Sequence, residues 1–316
     1  MAKTAQQIEN GRYAIDILSQ DLRLAGFYGH LSSMPTAPTS ADPCETGSTT
    51  NMYNALAWHV QGYRAADMSS RPDLTSTSCV TKGLLVNSNL KVGSDVLVVR
   101  RANTAVLATT DTAISNEIYI QATSTQAEIQ TGNGSVIGNN KASGAVSTLM
   151  LKDTVTAAPI RKYHVHVYFV APCSVGSGTN GVCSTSDDSI PTLKRLELTS
   201  VGGVTAMKLV PLVEGIEHFK VEYGIDNLPA TTNATTQLIG DSSVDSTTAT
   251  PADWTTVITT QVYLLARNTE RSLGYVDDKS YTLGTQAVTA ANDAYKRHAY
   301  SADIRLTNPA GRREAP

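Results

Sequence analysis

Charged side chains are scarce in this 316-residue chain: 17%, against roughly a quarter in an average domain. Aromatics are 6%, with three Phe and two Trp. A net charge of −3 offers no broad basic field for a phosphate backbone, so no nucleic-acid partner is expected. No run of about 18 apolar residues exists, and nothing spans a bilayer as written. No signal peptide is recognisable, since Met1 leads straight into polar residues. There is no Cys-x-x-Cys, no Gly-x-Ser-x-Gly, no P-loop, no dinucleotide fingerprint and no His-Glu-x-x-His. Separated carboxylates are present, but nothing singles out a catalytic pair. No fixed-period repeat is found, which disfavours propellers and solenoids. The expectation is a non-enzyme without a cofactor.

What fills the gap is Ser, Thr, Ala and Gly, the composition of a secreted β-rich protein. The four cysteines are Cys44, Cys79, Cys173 and Cys183. Three pairings are available in principle. The Gly-rich loop between Cys173 and Cys183 closes easily, which leaves Cys44 to pair with Cys79 across a long irregular segment. Two structural disulfides imply an oxidising compartment.

Residues 4–25 read as an amphipathic helix. Ile8, Ile15, Leu18, Leu22 and Ala25 recur three and four apart, and Gly26 supplies a left-handed stop. Residues 27–52 are irregular, interrupted by Pro35, Pro38 and Pro43. Short strands are expected at Leu84–Val86, Asp95–Arg101, Ala105–Thr109, Glu117–Gln121, Ala145–Leu151, Tyr163–Ala171, Leu193–Thr199, Thr205–Val210, His218–Gly224, Thr255–Ala266 and His298–Thr307. Residues 123–143 and 226–253 read as surface insertions poor in apolar side chains.

Three candidate chemistries stand out. His164 and His166 share a strand face with Tyr168, which is half a metal site or, more simply, the wet side of a half-exposed strand. Asp226, Asn227, Asp241 and Asp245 are weak calcium candidates in an oxygen-rich insertion. No Asp-x-Asp-x-Asp-Gly loop accompanies them, so no metal is expected. The basic residues Lys296, Arg297, His298, Arg305, Arg312 and Arg313 read as a solvated strand edge or a local docking patch.

Three segments together resemble the PilW family of type IV pilus minor pilins. They are Gln6 to Leu18 continuing through Asp21 to Gly29; Leu212-Val213-Glu214-Gly215-Ile216-Glu217 running on to Asp226; and Trp254 to Arg267 with Tyr295 to Asn308. The second and third are also similar to the J-type pseudopilin of type II secretion. The resemblance implies an α+β fold. An N-terminal pilin helix (1–26, the periplasmic half) packs on antiparallel β-sheets, and a β-rich head (27–316) carries long disulfide-tied loops. It implies a non-catalytic subunit of a tip or priming complex that initiates pilus assembly. The partners implied are other minor pilins and a PilY1-type tip adhesin. The place implied is the inner membrane and periplasm of a Gram-negative bacterium, then the pilus tip, with membrane attachment only through an apolar helical half not present in this chain. Ile8, Ile15, Leu18 and Leu22 are the expected helix-packing and partner face, and loops 27–52 and 226–253 the candidate partner loops. The rival from another class is a secreted carbohydrate- or ligand-binding β-domain, which the shortage of Trp disfavours.

Overall fold

The computed structural model describes residues 2–138, 141–226, 242–245 and 251–314. The chain opens with helix α1 (Ala2–Arg23). Gly26 then takes φ +71°, the left-handed exit the sequence calls for. Short helices α2 (Thr49–Asn54) and α3 (Ser78–Thr81) lie in the irregular segment that follows. Ser48 caps α2 by accepting from the Asn51 amide at 3.1 Å.

Seven strands form the first sheet: β1 (Val60–Tyr63), β2 (Val96–Ala102), β3 (Ile118–Ala122), β4 (Ala127–Thr131), β5 (Ile160–Ala171), β6 (Thr192–Val201) and β7 (Val204–Glu214). Strand β5 is the spine. It pairs with β2 along Tyr163–Tyr168, with β3 at its start and with β6 at its end. The second sheet contains β8 (Ile216–Ile225), β9 (Ser242–Asp245), β10 (Val257–Arg267) and β13 (Arg297–Arg305), in the order β13-β10-β8-β9. The turn α4 (Pro251–Trp254) precedes β10. A small hairpin of β11 (Tyr281–Leu283) and β12 (Gln286–Val288) interrupts the chain before β13, and α5 (Thr307–Glu314) follows it. Among the described residues every strand pair is antiparallel.

The chain crosses from the first sheet to the second at one residue. Gly215, at φ +78°, is all that separates β7 from β8. A Cβ there would lie 2.6 Å from the Arg267 carbonyl oxygen, and the Gly215 carbonyl accepts from the Arg267 amide at 2.7 Å. Only glycine satisfies both the positive φ and the close backbone approach. The Leu-Val-Glu-Gly-Ile-Glu stretch is therefore the corner where the chain passes from one sheet to the other.

Two large apolar cores flank the first sheet, and a small third cluster gathers around Tyr119 and Ile160. Val60, Leu97, Val99, Tyr168 and Val170 pack on one side against Phe219, Val221, Val262 and Leu264 of the second sheet and against α1. Val96, Val98, Val167 and Phe169 face the other way. That face is covered by Tyr28, Leu56, Leu74, Leu84, Leu85 and the Cys44–Cys79 disulfide. The second disulfide joins Cys173 to Cys183. Both bridges thus fix irregular backbone that lacks a ladder of its own.

The expected strands at Leu84–Val86, Ala105–Thr109 and Ala145–Leu151 are irregular instead. The Leu84 and Leu85 amides both donate to the Cys79 carbonyl, so this apolar pair plugs the core from a turn. A short apolar run cannot by itself distinguish a strand from such a plug. Conversely, β4 lies inside the stretch read as the 123–143 insertion. It is held by a full register with β3 and by the buried Gln130 Nε2 donating to Gln121 Oε1 at 3.0 Å. Strand β1 and the β11–β12 hairpin carried too few residues to stand out. Residues 307–314 turn helical where a strand had been expected to end.

Gly11 of α1 faces the Tyr300 ring of β13, and an added Cβ would sit 2.2 Å from it. Gly11→Ala is expected to destabilise the fold by about 1–2 kcal/mol, the cost of overpacking less the gain in helix propensity. Tyr300→Ala should relieve it in a double-mutant cycle followed by denaturant unfolding. Equal penalties in both backgrounds would rule out the ring as the cause.

Candidate functional site

Helix α1 presents one side to the head and the other outward, and the division is set residue by residue. At its upper end, Gln7 is buried, and its Nε2 donates to the Ala266 carbonyl at 2.8 Å and the Lys296 carbonyl at 3.1 Å. Asn10 Nδ2 donates to the Glu214 carbonyl at 3.0 Å. Further down, Ala14, Leu18, Leu22 and Ala25 enter the core between the sheets, each with no exposed surface. Each buried leucine contributes about 1.5–3 kcal/mol.

Of the four residues expected to form the packing and partner face, Leu18 and Leu22 point inward. Ile15 lies at the border, packed against the core but only partly buried. Ile8 is 36% exposed and points outward, as does Tyr13 at 57%. The inner seam of the first half is Gln7, Gly11 and Ala14, rotated by one position from the apolar stripe. Small residues there let the backbone approach the strands, and Gln7 replaces apolar contact with hydrogen bonds.

A charge sits at the foot of this seam. Asp21 lies between Leu18, Leu22 and Ala25 and is 5% exposed. Its Oδ1 accepts from Arg101 Nε of β2 at 2.5 Å. Its Oδ2 accepts from the Tyr168 hydroxyl at 2.8 Å and pairs with His166 Nδ1 at 2.7 Å, both on β5. An ionised carboxylate only accepts, so His166 Nδ1 carries the proton. Burial pushes the Asp21 carboxyl up. The His166 and Arg101 charges and hydrogen bonds outweigh it and hold the group well below the usual carboxylate range. Arg195 of β6 extends the cluster, donating from Nη1 to the Tyr168 hydroxyl at 3.2 Å and pairing with Glu197.

The alternation His164-Val165-His166-Val167-Tyr168 is thus not a half-wet strand. Its polar side lies under α1, and burial drives the His164 pKa down to about 2. The one signal for Asp21 in the sequence is its place as a lone carboxylate inside an apolar helical stripe.

The basic cluster near the C-terminus is also largely spent internally. Arg297 pairs with Glu217 at 2.5 Å, Asp293 at 2.7 Å and Asp277 at 3.1 Å. Arg312 Nη1 donates to the Gly26 carbonyl at 2.9 Å, and Asn308 Nδ2 to the Ala25 carbonyl at 3.2 Å. Together these two α5 side chains close the helix exit. Arg313 Nε donates to Asp226 Oδ2 at 2.9 Å. Asp226, proposed as a calcium ligand, is therefore buried in an ion pair. Asp245 belongs to β9 opposite Glu222, while Asn227 and Asp241 fall outside the described residues. Among the described residues no group of three or more His, Cys, Asp or Glu is arranged to hold a metal ion. No described helix is long and apolar enough to cross a membrane.

Residues 167–308 match the family model of PilW, the type IV pilus-assembly protein W. Over this span the chain is PilW-like. The PilW-matched segment runs from β5 to the start of α5 and supplies most of the surface that receives α1: Tyr168, Glu214, Ala266, Lys296 and Tyr300. Among solved structures, a type IV-like pilin from Thermus thermophilus is similar at 10% identity over 96% of each chain, with a TM-score of 0.35. No curated protein matches the chain.

Removing the Asp21 charge leaves Arg101 and His166 buried without their partner. Asp21→Asn is expected to cost about 3–5 kcal/mol at neutral pH. The depressed folded pKa means this stabilisation is complete above the unfolded value of about 4 and is lost as pH falls below it. The gap between wild type and variant should therefore narrow in acid. A urea titration series from neutral pH downward measures it; a constant gap would show that the carboxylate charge is not the source.

Proposed function

We propose that the chain is a minor pilin, a non-catalytic subunit of a type IV pilus that works by assembling with other pilins. The observation that carries the reading is the PilW match over residues 167–308, joined to an N-terminal helix whose outward side carries Ile8 and Tyr13. Arg12, Asp16 and Gln20 lie among them, with Gln20 donating to Asp16 at 2.6 Å. This mixture suits neighbours of complementary pattern, where apolar contacts give affinity and charges select the register.

On this reading α1 is the lower part of a longer pilin rod. The head sets its orientation through the Asp21 cluster and the Gln7 bonds. Assembly into a priming complex of minor pilins at the tip, and display of a large adhesin of the PilY1 type, is the finer role proposed. Inner membrane and periplasm before assembly, and the pilus afterwards, is the corresponding location.

Co-purification with the heads of candidate minor pilins tests this reading. A stable complex at tens of micromolar is expected. The double substitution Ile8→Lys and Tyr13→Lys should weaken it at least about tenfold while changing folding stability by no more than about 0.5 kcal/mol, as for exposed positions elsewhere. Absence of any complex, or capture only by type II secretion pseudopilin heads, would contradict the proposal.

A further inference from the structure

Strand β7 is a sheet edge. Among the described residues it pairs with β6 and with no other strand. The β6–β7 hairpin turns at Gly202-Gly203, whose φ values of +58° and +79° are those of a type I′ turn. Such a turn closes on a hydrogen-bonded pair, here Val201 and Val204. Bonds to β6 then alternate along β7 through Ala206, Lys208 and Val210. Thr205, Met207 and Leu209 turn their backbone N–H and C=O groups the other way, off the sheet. Among the described residues no backbone group from outside the ladder bonds to them. Pro211 is next in this outward series. Proline fits an edge strand where its missing N–H faces out, so its position agrees with the assignment and ends the open ladder.

The side chains of the same residues border a groove. Met207 belongs to the core on the side of the sheet opposite α1, and Leu209 packs against it. With Thr205, Leu84 and Val201 they line an open groove of about 480 Å³. Val201 and Val204 remain 42% and 61% exposed at its end.

The charges on this groove have one sign. Lys82 and Lys208 line it, and no carboxylate does. Both lysines are exposed, and among the described residues neither makes an ion pair. Lys82 Nζ donates to neutral acceptors, the Cys44 carbonyl and Thr46 Oγ1, the latter at 2.7 Å. The acid opposite Lys208 in the ladder, Glu197, pairs with Arg195 instead.

The geometry points to β7 as a docking edge for an extended segment of another protein that alternates apolar and acidic side chains. The segment adds a strand by bonding to the outward groups of Thr205, Met207 and Leu209. Its apolar side chains lie in the groove in line with Met207 and Leu209, and its carboxylates fall on the opposite face beside Lys208. A second copy of this chain is the poorer occupant. Two β7 edges paired together would set their Lys208 side chains opposite or diagonal on one face, where like charges are destabilising. Lys208 and Pro211 are also the residue types that guard an edge against unselective pairing. This surface is separate from the outward side of α1 and does not depend on the pilin reading.

The probe is a fluorescein-labelled heptapeptide of alternating Glu and Val, titrated with the full chain at fixed ionic strength and read by anisotropy. One saturable site is expected. The matching Lys-Val peptide should bind at least about tenfold more weakly, and Lys208→Glu should reverse that preference. Lys208 is exposed, so the variant should fold as the wild type does. Two further Glu-Val peptides carry N-methyl groups on one or the other alternate set of amides. Only the set that faces β7 should matter, weakening binding about tenfold or more. No binding of the Glu-Val peptide, equal binding of the Glu and Lys peptides, or equal loss with both methylated peptides would overturn the assignment. A dimer that excludes the peptide, seen by sedimentation, would overturn it in favour of a second copy.

Discussion

The Asp21 carboxylate is the constraint on which the placement of the helix depends. A helix packed only by Ala14, Leu18, Leu22 and Ala25 could slide or rotate by a residue at small cost, because apolar contacts are non-directional. A buried carboxylate reached by Arg101 from one strand and by His166 and Tyr168 from another accepts only one position. Charge burial is a poor source of net stability, since an apolar replacement can do as well. What it supplies is a unique arrangement, because every misplacement leaves a buried charge without partners. Gln7 and Asn10 act likewise at the other end by bonding to strand carbonyls.

This fixed seating decides which residues of one short helix meet the head and which face outward. The side that holds the head is polar at both ends and apolar between them. The other side keeps Ile8 and Tyr13 in solvent. If the helix could turn, these residues would be drawn toward the core and the outward pattern would blur. Rigidity of the inner seam is thus the physical condition for a specific outer surface. The Gly215 corner has a related effect, because it joins the two sheets without slack and so relates the strands that receive α1.

The sequence made visible whatever rests on local periodicity. Helix α1, the Gly26 exit, the β5 alternation and strands β6, β7, β8, β10 and β13 follow from patterns within a few residues. The irregular segment after the helix was legible from its prolines. The inner seam was not, because Gln7 and Gly11 look like outward residues until the strand carbonyls and the Tyr300 ring they meet are known. His166 and Tyr168 were assigned to solvent for the same reason: alternation shows that two faces differ, but not that both are covered. Arg297, in a row of basic residues, reads as part of a docking patch, and only its ion pairs with Glu217, Asp277 and Asp293 explain it. Partnerships between residues tens to hundreds of positions apart leave little trace in a single sequence.

The most direct test of the account is native-state hydrogen exchange of the α1 amides. If the Asp21 cluster locks the helix to the sheets, the amides of Ala14 to Arg23 should open only with the free energy that opens β5 and β8. Exchange of this helical half well before those strands, with the sheets still protected, would mean that α1 is a loosely attached appendage and that the head does not determine its orientation.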